Sequence, residues 1–373
     1  MLRILRRDRG TCLLFGALLV AVYFFKDCKD HKTFYLQTVT KESHQTTIKN
    51  NSYVYSWPRC QKNMAPATIR GFRYLQEKFQ DFLYYQHCRH FPMLLDMPDK
   101  CGGAEESADI FLLLVIKSPP ENYERREVLR KTWAKERLYN GVWIRRIFIV
   151  GTMGTDETKE RLNKVLELEQ REYNDILQWD FNESFYNLTL KQILFLEWME
   201  RNCPNAQFLL NGDDDVFANT DNMVEYLQSL KDNNGSQHLF TGKLITNASP
   251  IRWIHSKYFV PFQVHRSRYY PPYCSGAGYL LSVNTALVIY KMSKSISLVP
   301  IDDVYMGMCL AKAGLSPTSH EGVKLFGLSP QKLNDPCFIK DKLVVHRYLS
   351  WETYFMWQKI HDPDLNCSTS KEN

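Results

Sequence analysis

Apolar runs that alternate with helical segments constrain the fold of this chain more than any other feature. The run IFLLLVIK follows Asp109 and is apolar at nearly every position, which is typical of a strand buried on both faces of a sheet. Because strands and helices alternate, the sequence predicts an α/β domain with a mostly parallel sheet. Further strands are predicted at RIFIVG, ILQWDF and QFLLNGDDDVF, and helices at ERREVLRKTWAKERL, residues 156–173 and residues 190–202.

Length and composition indicate a folded chain. The 373 residues are 44% hydrophobic and 13% aromatic, which is ample for a packed core. The formal net charge of +6 is spread through both halves, without the long Lys/Arg tracts or aromatic-interleaved basic repeats of a nucleic-acid surface. No nucleic-acid partner is therefore expected.

A basic and then apolar amino terminus predicts attachment to a membrane. The uncharged run over residues 11–25 is shorter than the roughly 20 residues of a standard span, so a cleaved signal peptide is the alternative. However, bulky residues stand where a small-x-small cleavage site would be, and short spans suit the thin membranes of the early secretory pathway. We predict a cytoplasmic tail over residues 1–10 and an uncleaved signal anchor over residues 11–25 of a single-pass type II protein. The arginines that would hold the tail in the cytosol are Arg3, Arg6, Arg7 and Arg9.

The segment after the anchor predicts a flexible stem, residues 26–65, in an oxidising lumen. A folded domain then begins with an amphipathic helix within residues 66–90. Ten cysteines are dispersed without a Cys-x-x-Cys pair, which favours disulfide bonds whose pairing the sequence leaves open. His87, Cys88 and His90 could form a metal cluster, but no acidic ligand joins them, and a disulfide-tethered helix end is preferred. Sequons lie at Asn50, Asn182, Asn187, Asn234, Asn247 and Asn366.

Three neighbouring carboxylates follow a predicted buried strand. Asp213, Asp214 and Asp215 come directly after FLLNG, and in open α/β sheets ligands collect at the carboxyl ends of strands. Adjacent carboxylates repel one another unless a cation joins them, and hard oxygen ligands suit Mg²⁺ or Mn²⁺. A solvated acidic turn beginning at Asn211 is the alternative. The strand that precedes the triplet favours a metal site.

A second acidic pair, Asp302 and Asp303, opens a predicted helix over DDVYMGMCLAKAG. Aspartate at a helix start commonly caps free amide groups. Successive helical residues diverge by about 100°, so one side chain can cap the helix while the other faces a ligand. An ionised aspartate in that place could accept a hydroxyl proton as a general base.

Between the two acidic elements lies the segment RYYPPYCSGAGYLLS, residues 268–282. Gly276 and Gly278 permit close backbone approach, and the tyrosines offer flat faces of the kind that pack against sugar rings. The alternative is an aromatic turn that leads into a buried strand.

Seven segments occur together in the order found in the animal β1,3-glycosyltransferases. The chain most resembles the β1,3-N-acetylglucosaminyltransferase family, and the resemblance covers about residues 80–350. It implies a GT-A fold, a single Rossmann-like α/β domain that we place over residues 66–373. The segments are FLLLVIKSPPENYERREVLRKTWA, RIFIVG, DILQWDFNESFYNLTLKQ, FLLNGDDDVF, YPPYCSGAGYLLS, PIDDVYMGMCLAKAG and LVVHRYL.

The resemblance also implies roles for matching residues. Asp215 and His346 would hold Mn²⁺ or Mg²⁺ against the diphosphate of UDP-N-acetylglucosamine, although a histidine within LVVHRYL would otherwise be interpreted as a core residue. Asp303 aligns with the catalytic base and Asp302 with its supporting neighbour. Residues implied near the nucleotide are Arg125, Arg126, Arg130, Lys191, Asp213, Asp214, Gly276 and Gly278. Salt bridging on a helix surface is the alternative for at least one of the arginines.

The resemblance implies inverting transfer of N-acetylglucosamine, in β1,3 linkage, to the terminal galactose of O-glycan or N-acetyllactosamine acceptors. The acceptors would be carried by glycoproteins or glycolipids, and the enzyme would face the Golgi lumen from the Golgi membrane, with a homodimer as one arrangement. Three alternatives stay open: a β1,3-galactosyltransferase on the same fold, an inactive Golgi lectin or chaperone, and a metal-dependent phosphohydrolase.

Overall fold

The structure, a computed structural model, describes residues 57–230 and 237–367. The predicted tail, signal anchor and most of the stem lie outside these residues. Within them, none of the helices has the length and apolar character that a membrane crossing requires. The helices are α1 (Glu77–Tyr85), α2 (Gly103–Glu106), α3 (Tyr123–Lys131), α4 (Asp156–Tyr173), α5 (Leu188–Asn202), α6 (Thr220–Ser229), α7 (Val283–Ser293), α8 (Asp302–Lys312), α9 (Pro330–Asn334), α10 (Pro336–Lys340) and α11 (Ser350–Ile360).

The strands form a large central sheet and a small second sheet. The strands are β1 (Met93–Leu95), β2 (Ile110–Lys117), β3 (Arg137–Tyr139), β4 (Val142–Thr152), β5 (Ile176–Asn182), β6 (Phe208–Asp213), β7 (Val216–Ala218), β8 (Phe240–Ile245), β9 (Tyr273–Ser282), β10 (Thr318–Ser319), β11 (Val323–Lys324) and β12 (Val344–His346). The central order is β1-β5-β4-β2-β6-β9-β8-β10, with β3 beside β4, and the small sheet has the order β11-β12-β7.

The centre of the large sheet is parallel. Strands β5, β4, β2 and β6 run in one direction, whereas β9 is antiparallel to both β6 and β8. The predicted mostly parallel sheet is therefore confirmed for these central strands. This mixed α/β architecture fits a GT-A-like fold.

The uniformly apolar sequence of β2 reflects burial on both faces of the sheet. Leu113 and Val115 belong to a core cluster that includes α5, whereas Leu112 and Leu114 belong to a second cluster on the opposite face. All four side chains are fully buried. Because successive side chains of a strand point to opposite faces, helices must cover both sides of the sheet.

Two predicted helices are shorter in the structure. The helix predicted over ERREVLRKTWAKERL ends at Lys131, since Thr132 leaves helical geometry and the indole of Trp133 donates to the backbone oxygen of Val216 at 3.1 Å. Within residues 66–90, only Glu77–Tyr85 is α-helical. Gly71, with a φ of 81°, separates two preceding 3₁₀ turns in a conformation that ends regular helix.

Three cysteine pairs lie at disulfide geometry: Cys60–Cys88, Cys101–Cys203 and Cys337–Cys367. Cys88 is bonded to Cys60 in the first pair, so its sulfur is not a free thiolate. His90 stacks on Trp57, with ring centroids 4.0 Å apart. This arrangement supports the disulfide-tethered helix end over a metal cluster at this place. Among the described cysteines, Cys274 and Cys309 are buried free thiols.

A buried ion network joins α3, α4 and β4 beside the sheet. Asp175 accepts from Arg130 at 2.9 Å and from Arg146 at 2.6 Å, and Glu169 pairs with Arg126 at 2.6 Å and with Arg130 at 2.8 Å. Burial acts to raise the pKa of Asp175, but the hydrogen bonds and charges of Arg130 and Arg146 outweigh it, so the pKa is lowered. Burial of these charges is tolerated because each one is paired.

Replacing Asp175 with alanine should lower the free energy of unfolding by about 3–5 kcal/mol, because buried guanidinium groups lose their shared carboxylate. Urea denaturation of the soluble domain measures this change. Glu160→Gln is the control, since the Glu160–Lys164 pair is exposed, and its denaturation midpoint should match that of the wild type. A midpoint for Asp175→Ala no lower than that of the control would contradict a stabilising network.

Candidate active site

A cleft of about 470 Å³ opens where β2 and β6 end. Strand β2 ends at Lys117 and β6 at Asp213, and the parallel register places these two residues side by side. This is the carboxyl edge at which open α/β sheets collect ligands. The predicted site residues that line the cleft are Lys191, Asp213, Asp214, Asp215, Gly276, Asp302, Asp303 and His346.

Within the acidic triplet, Asp214 turns inward. It accepts from the Ser118 hydroxyl at 2.7 Å and from the Asn122 amide at 2.8 Å, and only 8% of it is exposed. Burial raises its pKa, while these hydrogen bonds and Arg125 oppose the shift. Asp214 therefore fixes the loop that presents its two neighbours to the cleft.

Asp215 faces His346 because β12 runs antiparallel to β7, with His346 opposite Val216. The His346 Nε2 and Asp215 Oδ1 atoms are 3.4 Å apart. Burial acts to raise the pKa of Asp215, but His346 and Arg125 more than offset it, and the pKa is lowered. The aspartate is thereby kept ionised, as a metal ligand must be.

The donor set fits a hard divalent cation. Ligand atoms of Asp213, Asp215 and His346 all lie within 4.8 Å of one another. Asp215 Oδ1 and His346 Nδ1 are among the buried polar atoms of the described residues that lack a hydrogen-bond partner, although His346 Nε2 lies 3.4 Å from Asp215 Oδ1. Buried polar atoms are normally satisfied, and two carboxylates with one imidazole suit Mn²⁺ or Mg²⁺. The structure therefore brings together the residues that such an ion requires.

Lys117 connects the two acidic groups and was missed by the sequence analysis. Its ammonium donates to Asp302 Oδ2 at 2.8 Å and to the Gly276 oxygen at 3.0 Å, and it lies 2.9 Å from Asp213 Oδ1. Burial acts to lower the pKa of Lys117, but the charges of Asp213 and Asp302 raise it well above its usual range. The lysine at the end of IFLLLVIK was the available signal, since a buried lysine needs carboxylate partners.

Asp303 faces the cleft from the first turn of α8. The backbone amide of Gly276 donates to Asp303 Oδ2 at 2.9 Å, and that of Val304 donates to Oδ1 at 2.8 Å. Burial and the charge of Asp302 raise the pKa of Asp303 to about 7, against the effect of these amides. Neither aspartate is the N-cap residue of α8, a position that Ile301 occupies. The capping interpretation is thus wrong for Asp302, whose carboxylate is bound by Lys117.

The two predicted glycines have different roles. A Cβ atom at Gly276 would lie 3.3 Å from the Cβ of Asp303, so glycine allows the strand to approach the acidic pair. A Cβ atom at Gly278 would lie 2.8 Å from a methyl group of Val344. Gly278 therefore serves the packing of β9 against β12 and does not line the cleft.

The basic residues predicted near a nucleotide differ in where they lie relative to the cleft. Lys191 lines the cleft and pairs with Glu183 at 2.7 Å, with 1% of its side chain exposed. Arg125 donates to the backbone oxygen of Tyr348 at 3.1 Å and lies behind Asp214, outside the lining of the cleft. Arg126 and Arg130 do not line the cleft, because both are held in the buried network with Glu169. The predicted placement of these two arginines beside a nucleotide is therefore corrected.

The sequence profile of a family described as galactosyltransferase matches residues 124–321, which is more than half of the chain. Human N-acetyllactosaminide beta-1,3-N-acetylglucosaminyltransferase 3 is 48% identical over 318 residues, which cover 84% of this chain and 83% of that protein. A human acetylgalactosaminyl-O-glycosyl-glycoprotein beta-1,3-N-acetylglucosaminyltransferase is 47% identical over 83% of this chain and 81% of that protein.

A rat protein named UDP-GlcNAc:betaGal beta-1,3-N-acetylglucosaminyltransferase 7 is 43% identical over 83% of this chain and 77% of its own length. These matches confirm the resemblance on which the sequence analysis relied. The chain therefore belongs to the galactosyltransferase family, among relatives named as β1,3-N-acetylglucosaminyltransferases.

Proposed function

We propose that the protein transfers N-acetylglucosamine from UDP-N-acetylglucosamine, with inversion and in β1,3 linkage, to a terminal galactose of an acceptor glycan. The proposal rests on one observation. A single cleft contains a donor set that could bind a cation and, separate from it, the Asp303 carboxylate, whose pKa is raised. The names of the relatives supply the donor, the linkage and the galactose acceptor.

Asp303 is the general base of this proposal. Two backbone amides orient its carboxylate, and both oxygens retain lone pairs with which to accept a proton. A base is most effective when its pKa lies near the working pH, and burial beside Asp302 supplies that shift. Asp303 would take the proton of the galactose 3-hydroxyl while that oxygen attacks the anomeric carbon and UDP departs from the opposite face.

Asp213, Asp215 and His346 would hold Mn²⁺ or Mg²⁺. When bound, the ion supplies positive charge against the diphosphate of the donor. Lys191 supplies a buried ammonium that lines the same cleft, and its salt bridge with Glu183 fixes its position. Lys117 links the acidic triplet to the acidic pair, because its ammonium binds Asp213 on one side and Asp302 on the other.

The membrane location is proposed on the amino-terminal pattern alone. The basic tail and the run over residues 11–25 fit a type II protein of the Golgi membrane with a lumenal catalytic domain. Protection of the carboxyl-terminal domain from protease in sealed microsomes tests this topology, and cleavage of the domain in intact vesicles would refute it.

A donor and acceptor panel tests the proposed reaction. The soluble domain should transfer sugar from UDP-N-acetylglucosamine to galactose-terminated core 1, N-acetyllactosamine and keratan-type acceptors, measured by mass spectrometry of the products. UDP-galactose is the second donor, because the family profile is described as galactosyltransferase. Preferred use of UDP-galactose would establish that alternative. A folded protein without transfer would indicate a lectin or chaperone, and phosphate release from simple esters would indicate a phosphohydrolase.

Asp303→Asn should lower kcat by about 10²–10⁴-fold, because the amide cannot accept the hydroxyl proton. UDP binding, measured by calorimetry, should persist. In the wild type, a protonated Asp303 is inactive and its pKa is about 7, so kcat/KM should fall about tenfold for each pH unit below that value and level off above it. Asp364→Asn, on the surface, is the control. Near-normal turnover by Asp303→Asn would refute the assignment.

Asp215→Asn and His346→Ala should each weaken Mn²⁺ binding at least about tenfold, since each removes one donor from the set. Calorimetric titration of the soluble domain with Mn²⁺ measures this change without turnover. His87→Ala is the matched control, because this histidine lies beside the Cys60–Cys88 disulfide. An unchanged Mn²⁺ affinity in both variants would place the cation elsewhere.

A further inference from the structure

A second cavity of about 550 Å³ lies behind one wall of the catalytic cleft. We call it the side cavity. Its volume is within the range of small-molecule sites, about 300–1,000 Å³. The wall between the two is the segment 182–190, which carries the chain from β5 into α5. Ser184 lines both spaces, Phe185 and Leu188 line the cleft, and Tyr186 and Leu190 line the side cavity.

The lining of the side cavity suits an uncharged sugar. Its floor is apolar, with Phe82, Phe181 and Leu298 almost fully buried. Tyr85, 40% exposed, and Tyr186 offer aromatic rings, and the amides at its rim offer donors and acceptors. The charged lining residues balance as three cations and three carboxylates, which disfavours a phosphate or another strongly charged ligand. They are Arg59, Lys78, Lys159, Asp81, Asp156 and Asp180.

A row of aromatic rings connects the cleft with the side cavity. Tyr258 and Phe185, which line the cleft, have ring centroids 5.4 Å apart, and Phe185 lies 5.5 Å from Tyr186. We call these three residues the aromatic ridge. Sugar rings pack their apolar faces on such side chains, so a chain of sugars extending from the cleft would find contacts along the ridge.

We propose that the side cavity is a second carbohydrate subsite, which binds internal, uncharged sugar residues of the acceptor glycan while the terminal galactose occupies the catalytic cleft. The proposal rests on the proposed function for the identity of the acceptor. It implies selectivity for longer glycans, because only these reach past the aromatic ridge.

The test compares a galactose-terminated disaccharide with a galactose-terminated hexasaccharide as acceptors. In the wild type, kcat/KM should be about three- to tenfold higher for the hexasaccharide, the size of effect expected from one or two aromatic contacts. Tyr85→Ala and Tyr186→Ala should bring the ratio of the two values toward one. Because each ratio is internal to one variant, partial unfolding does not alter it. Tyr186→Phe should restore the ratio, and Tyr74→Ala, 76% exposed and outside both spaces, should retain it.

A binding measurement separates this inference from the proposed reaction. Saturation-transfer NMR with an N-acetylglucosamine-terminated trisaccharide, which lacks the galactose needed for transfer, should detect binding that weakens in Tyr85→Ala and not in Tyr74→Ala. Such binding by a protein that transfers sugar to none of the galactose-terminated acceptors would remove the proposed function and leave the subsite. A wild-type ratio near one, or a ratio unchanged in both tyrosine variants, would overturn the subsite.

The sequons at Asn182 and Asn187 require one further comparison, because both asparagines line the side cavity. The preference for the hexasaccharide should persist after enzymatic deglycosylation of the folded protein. A preference that disappears would mean that the chain's own glycan, and not the cavity, contacts the acceptor.

Discussion

The contacts of one buried ammonium group hold the active site together. Lys117 ends the central strand β2 and binds Asp213 at the end of β6, Asp302 at the start of α8 and the backbone of β9. These elements are distant in sequence, and each contributes residues that line the cleft. The ammonium has three N–H donors, and three acceptor atoms surround it. Because a buried charge without such partners would be strongly destabilising, these contacts are what allow Lys117 to be buried. The spacing between the cation-binding donors and the proposed base therefore depends on this side chain.

Charge also explains why the cleft suits a cation. Asp213, Asp215, Asp302 and Asp303 all face it, and Lys117 compensates only the pair that it contacts. Burial, and to a smaller extent the charge of Asp302, raises the pKa of Asp213 and that of Asp303. Asp215, beside His346, keeps a lowered pKa. A divalent ion is the ligand that relieves the repulsion among these groups.

The sequence predicted the parts of this site that follow local rules. Carboxylates after a buried strand indicated the triplet Asp213 to Asp215, and a helix start indicated the pair Asp302 and Asp303. Only the family resemblance singled out Asp215 as a metal ligand and Asp303 as the base. His346 was accessible only through family resemblance, because its apolar neighbours are those of a core histidine. Arg126 and Arg130 were misplaced since their partners, Glu169 and Asp175, lie about 40 residues away and leave no local signal. Lys117 was missed although a lysine at the end of an apolar strand is a local signal, because its three contact partners lie far away in sequence.

The Cys337–Cys367 disulfide encloses the strand that carries His346. The family profile ends at residue 321, so a message that terminated just beyond that point would still encode the whole central sheet. The product would lack the imidazole of His346. It would also lack β12, which pairs with β7 and so positions Asp215 just before that strand. Premature stop codons between residues 322 and 346 should accordingly be as harmful to catalysis as those near the middle of the reading frame.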